Sequence, residues 1–122
     1  MKKIIILIIL VSPIVIYINL PMEFFNREEI ERGNELVKNI DNFYKINGFY
    51  PSSGDWERLE EIGYTSEEMD RAYPDYTKLN DSSYEIVFVI GFDPPYLLWN
   101  SNDRIWKEGY PSTPDSWKEK FK

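Results

Sequence analysis

The first twenty residues constrain this chain more than any other stretch. Met1-Lys2-Lys3 leads into Ile4–Leu20, 17 residues in which Ser12 and Asn19 are the only polar interruptions. Written as a helix, that stretch is about 25 Å long, close to the thickness of a hydrocarbon core. It has no polar face of the kind an amphipathic surface helix carries. Pro13 kinks such a helix but is tolerated in a spanning segment. Lys2 and Lys3 before it, with Glu23, Glu28 and Glu29 after it, orient the N-terminus toward the cytoplasm. Cleavage as a signal peptide needs small residues after the apolar stretch, and residues 17–25 contain no Ala, Gly or Ser. The sequence therefore predicts an uncleaved anchor at 1–22 and a folded domain at 23–122. The expected location is the bacterial inner membrane, single-pass, with the domain periplasmic or extracellular.

Charge and chemistry narrow the partners. Two of the 14 Lys and Arg precede the apolar stretch, which leaves 12 basic against 21 acidic residues after it, a net of -9. A surface of that sign repels phosphate backbones, so no nucleic acid is expected. The chain has no Cys and no His. That removes thiol nucleophiles, Ser-His-Asp triads and the usual zinc ligands. Glu28-Glu29, Glu60-Glu61 and Glu67-Glu68 are adjacent acids on helical stretches. Such neighbours point apart, whereas acid–base chemistry needs two differently tuned carboxylates across one cleft. The chain reads as no enzyme, with no catalytic residues.

Beyond Asn26 the pattern becomes amphipathic. Ile30, Gly33, Leu36, Val37, Ile40, Phe43 and Tyr44 recur at helical spacing on one stripe. Asn26 is placed to cap this helix, Glu28 and Glu29 suit its first turn, and Gly48 with Pro51 ends it. Asp55 caps a short helix Trp56–Ile62 closed by Gly63, and Thr65 or Ser66 starts another turn near 67–72. Tyr73–Asn80 reads as a surface connection. Tyr84–Ile90 then alternates with apolar residues on both sets, which predicts a well-covered strand. Tyr96–Trp99 and Arg104–Lys107 follow as two more, separated by the turn Asn100–Asp103. The order helix, loop, strands gives an α+β fold: an N-terminal transmembrane helix running on into an amphipathic helix packed on a three-stranded antiparallel meander.

This arrangement resembles the type IV pilin-like proteins, in particular the pseudopilins of type II secretion systems. The likeness rests on the basic-then-apolar start continuing into an amphipathic helix, and on Ile40–Pro51, IDNFYKINGFYP, at that helix's end. It also rests on the loop that follows, and on a meander with Tyr84-Glu85-Ile86-Val87-Phe88 ahead of Trp99-Asn100-Ser101 and Trp106. The family's glycine-phenylalanine cleavage site is absent from Met1–Ile6, and Ile4–Leu20 holds no glutamate. The resemblance implies a pilin-like fold and a structural or assembly role, with other pilin-like or secretion-system subunits and the membrane as partners. It also implies calcium near the closing strands, where Asp93, Asn100, Asn102 and Asp103 offer hard oxygen ligands. The same residues favour a plain hairpin turn. Calcium is thus the one cofactor to test. Tyr96 and Trp99 are the candidates for a partner surface, the other rings being needed for the core. The alternative function is a binding module whose acidic domain captures a protein partner.

Overall fold

The computed structural model describes residues 26–120. Helix α1, Arg27–Asn47, is the spine of the domain, with Ile30, Gly33, Leu36, Val37 and Ile40 buried along one stripe. Glu28 and Glu29 lie in its first turn and Lys45 in its last, each favourable to the helix dipole. Asn26 stands at the N-cap without a side-chain bond, while Gly48 closes the helix at φ 78°, its N–H bonded to the Tyr44 carbonyl. Two short helices follow. In α2, Trp56–Ile62, the Asp55 carboxylate accepts from the Arg58 N–H. In α3, Ser66–Arg71, Thr65 and Glu68 form a reciprocal capping box.

The remainder is one antiparallel sheet of four strands in the order β1-β2-β3-β4. They are β1 Asp75–Asn80, β2 Ser83–Phe88, β3 Tyr96–Asn100 and β4 Trp106–Gly109. A last helix, α4 Asp115–Lys120, lies beside β1. The fold is α+β, but the expected three-stranded meander is corrected to four strands. The missed strand, β1, lies where a surface connection was expected. Its register shifts between Lys78 and Asn80, so its two buried apolar residues, Tyr76 and Leu79, are three positions apart and occupy opposite faces. An edge strand with a bulge and only two buried apolar residues carries no period-two signal.

The single-pass placement is corrected as well. Among the described residues no helix is long and apolar enough to cross a membrane, so that location is not supported. The proposed anchor, residues 1–22, lies outside the described residues.

The inner face of the sheet packs on α1. Tyr84, fully buried, is the hub of this layer, with ring centroids 4.9 Å from Tyr50, 5.8 Å from Tyr76 and 5.6 Å from Trp99. Leu36, Ile40, Ile86 and Leu97 complete it with no exposed surface. Gly33 has a specific task here. A Cβ at that position would overlap the Trp106 indole, so only glycine lets β4 lay this ring over the helix, where its Nε1–H donates to Asn34 at 2.8 Å.

The outer face is covered by the chain's own C-terminal segment. Leu79, Val87 and Leu98 are buried there, and so are Ser83, Glu85 and Asn100. Glu85, 2% exposed in the central strand, accepts from the Ser112 N–H at 2.8 Å, the Ser112 hydroxyl at 3.1 Å and Asn100 Nδ2 at 3.1 Å. Buried carboxylates persist when their oxygens are satisfied in this way. Three donors on one carboxylate fasten the segment after β4 across the sheet.

Candidate functional site

The four calcium candidates do not converge. Asp93 lies in the β2–β3 connection, whereas Asn100, Asn102 and Asp103 lie at the opposite end of β3, a five-residue strand of roughly 16 Å. Asn100 Oδ1 accepts from the Asn102 N–H at 2.8 Å, and the Asn100 carbonyl accepts from both Asp103 and Arg104 N–H groups. Asp103 pairs with Lys107 at 2.8 Å. The segment is a self-satisfied turn. Among the described residues no three acidic side chains are grouped to hold a metal.

The two partner-surface candidates separate. Trp99 is buried in the aromatic layer, and the Arg104 guanidinium stacks over it at 4.9 Å. Arg104 is held there by Asp41 at 2.7 Å, and Asp41 also accepts from the Tyr84 hydroxyl at 3.0 Å. This links α1, β2 and the β3–β4 turn, and burial with the nearby Asp41 charge pushes the Tyr84 hydroxyl above its ordinary value. Tyr96 is half-buried, and its hydroxyl donates to the Phe92 carbonyl at 3.0 Å. It positions a loop and does not itself form a surface.

That loop is a feature the sequence reading passed over. Val89, Ile90 and Phe92 are exposed, Phe92 completely. Pro94 and Pro95 restrict the chain beyond it, and Tyr96 pins the Phe92 carbonyl, so the ring is presented on a constrained turn. The loop lies toward the start of α1, because β2 runs antiparallel to the helix. Tyr84 bonds Asp41, whereas Phe88 at the other end lies beside Gly33 and packs on Tyr73, itself bonded to Glu29. The available signal was a large apolar residue embedded in Gly91-Phe92-Asp93-Pro94-Pro95, a turn-forming context with no core to enter.

A second apolar surface lies at the other end of α1. Ile46, 83% exposed, and the half-exposed Tyr44 and Phe49 are grouped there. Beside them is an open cleft of about 380 Å³ lined by Asn39, Asn42, Phe43, Ile46, Asn47, Glu61 and Ile62. Lys38 and Lys45 lie on the same helix stripe and are exposed. Gly33 and Ile46 are 13 positions apart, roughly 20 Å along the helix. The two apolar surfaces therefore face different ends of the domain.

No protein-family model, no curated protein and no solved structure matches this chain.

Proposed function

We propose that this chain is a non-catalytic assembly subunit of the pilin-like kind, in which the Phe92 loop of one copy seats against the Ile46 cleft of the next. The observation that carries the reading is the completely exposed Phe92 on a pinned loop, at the opposite end of α1 from an apolar cleft. Contiguous exposed apolar residues mark interaction surfaces more often than single ones do. Charge favours the same pairing. Asp93 beside the ring has no ion partner among the described residues, and neither have Lys38 and Lys45 beside the cleft. The spine helix on a consecutive antiparallel meander also supports the pilin-like reading, since that is the arrangement the sequence resemblance implies. A contact between two different surfaces repeats from copy to copy and yields rings or filaments.

The chain has no cysteine, which makes the test direct. Full chains carrying Phe92→Cys and Ile46→Cys are mixed and oxidised. A disulfide-linked pair should form in the mixture and not in either variant alone, and Phe92→Asp should abolish assembly in sedimentation experiments. Equal crosslinking by Phe92→Cys alone would replace this pairing with a two-fold contact. A chain that remains monomeric at every concentration would sink the assembly reading and leave the acidic binding module in its place.

A further inference from the structure

A different part of the molecule, independent of the assembly surfaces, forms a small enclosed site between α2, α3 and β1. It is a pocket of about 60 Å³ lined by Gly54, Trp56, Leu59, Tyr64, Met69, Ala72, Pro74, Asp75 and Tyr76. The walls come from three elements because α2 and α3 are each held down separately. The Arg32 guanidinium on α1 grips both Glu68 oxygens, at 2.7 and 2.8 Å, and the Gly63 carbonyl at 2.6 Å. Asn39 donates to the Ile62 carbonyl at 2.7 Å. The pocket is built by the fold and is not a gap between mobile loops.

Three observations define what it suits. The first is aromatic and thioether lining: Trp56, Tyr64, Tyr76 and Met69 surround one small volume. Aromatic rings attract cations through their quadrupoles, and grouped rings are the general means of holding alkylated ammonium heads. The second is an unsatisfied polar atom. The Tyr64 hydroxyl, on a residue 91% buried, has no hydrogen-bond partner, although buried polar groups are almost always paired. The third is the sign of the local field. Asp75 makes no ion pair among the described residues, and its carboxyl is raised by desolvation. Glu68 and Asp75 both push the Tyr64 hydroxyl in the same upward direction as its burial does. A site walled by rings and carrying uncompensated negative potential favours a cation.

Size sets the rest. At roughly 10–15 Å³ per water-sized occupant, the pocket holds about four or five such groups. That fits a nitrogen with three or four methyls and excludes a sugar ring or a nucleotide. Trp56, 57% exposed, and the exposed Asp75 form the open side.

We propose that this pocket binds a methylated ammonium group, with Trp56, Tyr64 and Tyr76 providing the cage and Asp75 the counter-charge at its mouth. The domain's net negative charge raises the local cation concentration around it.

The test is a titration of the full chain with tetramethylammonium chloride and with choline, followed by side-chain NMR shifts or tryptophan fluorescence. Sodium chloride at matched ionic strength and the neutral isostere 3,3-dimethyl-1-butanol are the controls. Saturable binding on the order of millimolar is expected, with the neutral isostere at least about ten-fold weaker. Trp56→Ala and Asp75→Asn should each weaken it several-fold. Both residues are exposed, so neither change threatens the fold, and circular dichroism verifies this. Equal binding of the alcohol would show an apolar dent with no preference for cations and would overturn the proposal. A response that survives both substitutions would place the cation elsewhere on the acidic surface and would overturn it equally. So would the absence of saturation at 100 mM.

Discussion

The two faces of the sheet are held by different physics. The inner face is an aromatic and aliphatic layer in which Tyr84 touches Tyr50, Tyr76 and Trp99, and Leu36 and Ile40 of α1 are fully excluded from water. The outer face carries fewer apolar side chains, and its cover is a segment of irregular chain fastened at a buried carboxylate, Glu85. Burial on the inner side is spread over many contacts, each small and none directional. On the outer side it depends on a few directional bonds, whose loss leaves polar groups stranded. The inner face should therefore yield gradually and take the whole domain with it. The outer face should open locally, by release of one segment.

The largest expected effect breaks the inner face. Ile40→Ala removes a side chain with no exposed surface and should cost about 2–5 kcal/mol. Chemical denaturation should show one cooperative transition at lower denaturant with an unchanged slope. A second transition would contradict the picture of a single inner layer holding the domain.

Glu85→Ala attacks the outer face. It strands the Ser112 N–H, the Ser112 hydroxyl and Asn100 Nδ2, and should cost about 2–3 kcal/mol. Its distinguishing mark is local. Proteolytic cleavage and amide exchange should accelerate in residues 109–120 well before the α1 amides respond. Ser112→Ala, which leaves the backbone bond in place, should give the same pattern at about 1 kcal/mol. Uniform acceleration across α1 and the tail would show that the two faces are one cooperative unit.

The smallest effect sharpens the comparison through pH. Arg32 holds the Glu68 carboxyl below the usual carboxylate range, a lowering that burial partly opposes. A depressed folded-state value means that this pair's contribution is complete above about pH 4.3, the ordinary glutamate value, and is lost as pH falls through the lower folded value. Desolvation raises Asp75 instead, so Asp75 acts in the opposite sense, costing stability as pH climbs above its ordinary value. Thermal melts from pH 3 to 6 should show Glu68→Gln flattening the acid loss by less than about 1 kcal/mol, because Arg32 is partly solvated. Asp75→Asn should steepen it slightly. Identical pH slopes for the parent and Glu68→Gln would remove the ion pair from the account.

Much of the inner face was legible in the sequence. The stripe from Ile30 to Ile40 and the stop at Gly48 are local patterns, as are the capped short helices and the alternation in β2, and the structure keeps them. Two limits of local reading show in particular residues. Val89 and Ile90 continue the β2 alternation but lie exposed beyond its end, because nothing in the period of a strand says where its partner stops. Strand β1 escaped because its bulge put Tyr76 and Leu79 out of phase. At the site level, Asn100, Asn102 and Asp103 have the composition of a cation loop and the geometry of a turn. Trp99 has the composition of a contact residue and the burial of a core one.

The sequence by itself determined what depends on neighbours along the chain: helix faces, caps, turns, net charge, and the chemistry that Cys and His would have supplied. Tertiary structure alone decided what depends on residues far apart in the chain meeting in space. The Glu85–Ser112 pairing spans 27 positions, and the Gly33–Trp106 approach brings α1 against β4. The pocket that gathers Trp56, Tyr64, Met69 and Asp75 is of the same kind. Periodicity reports which face of an element is apolar; only packing fixes which element covers that face, and hence which rings and charges remain for a partner.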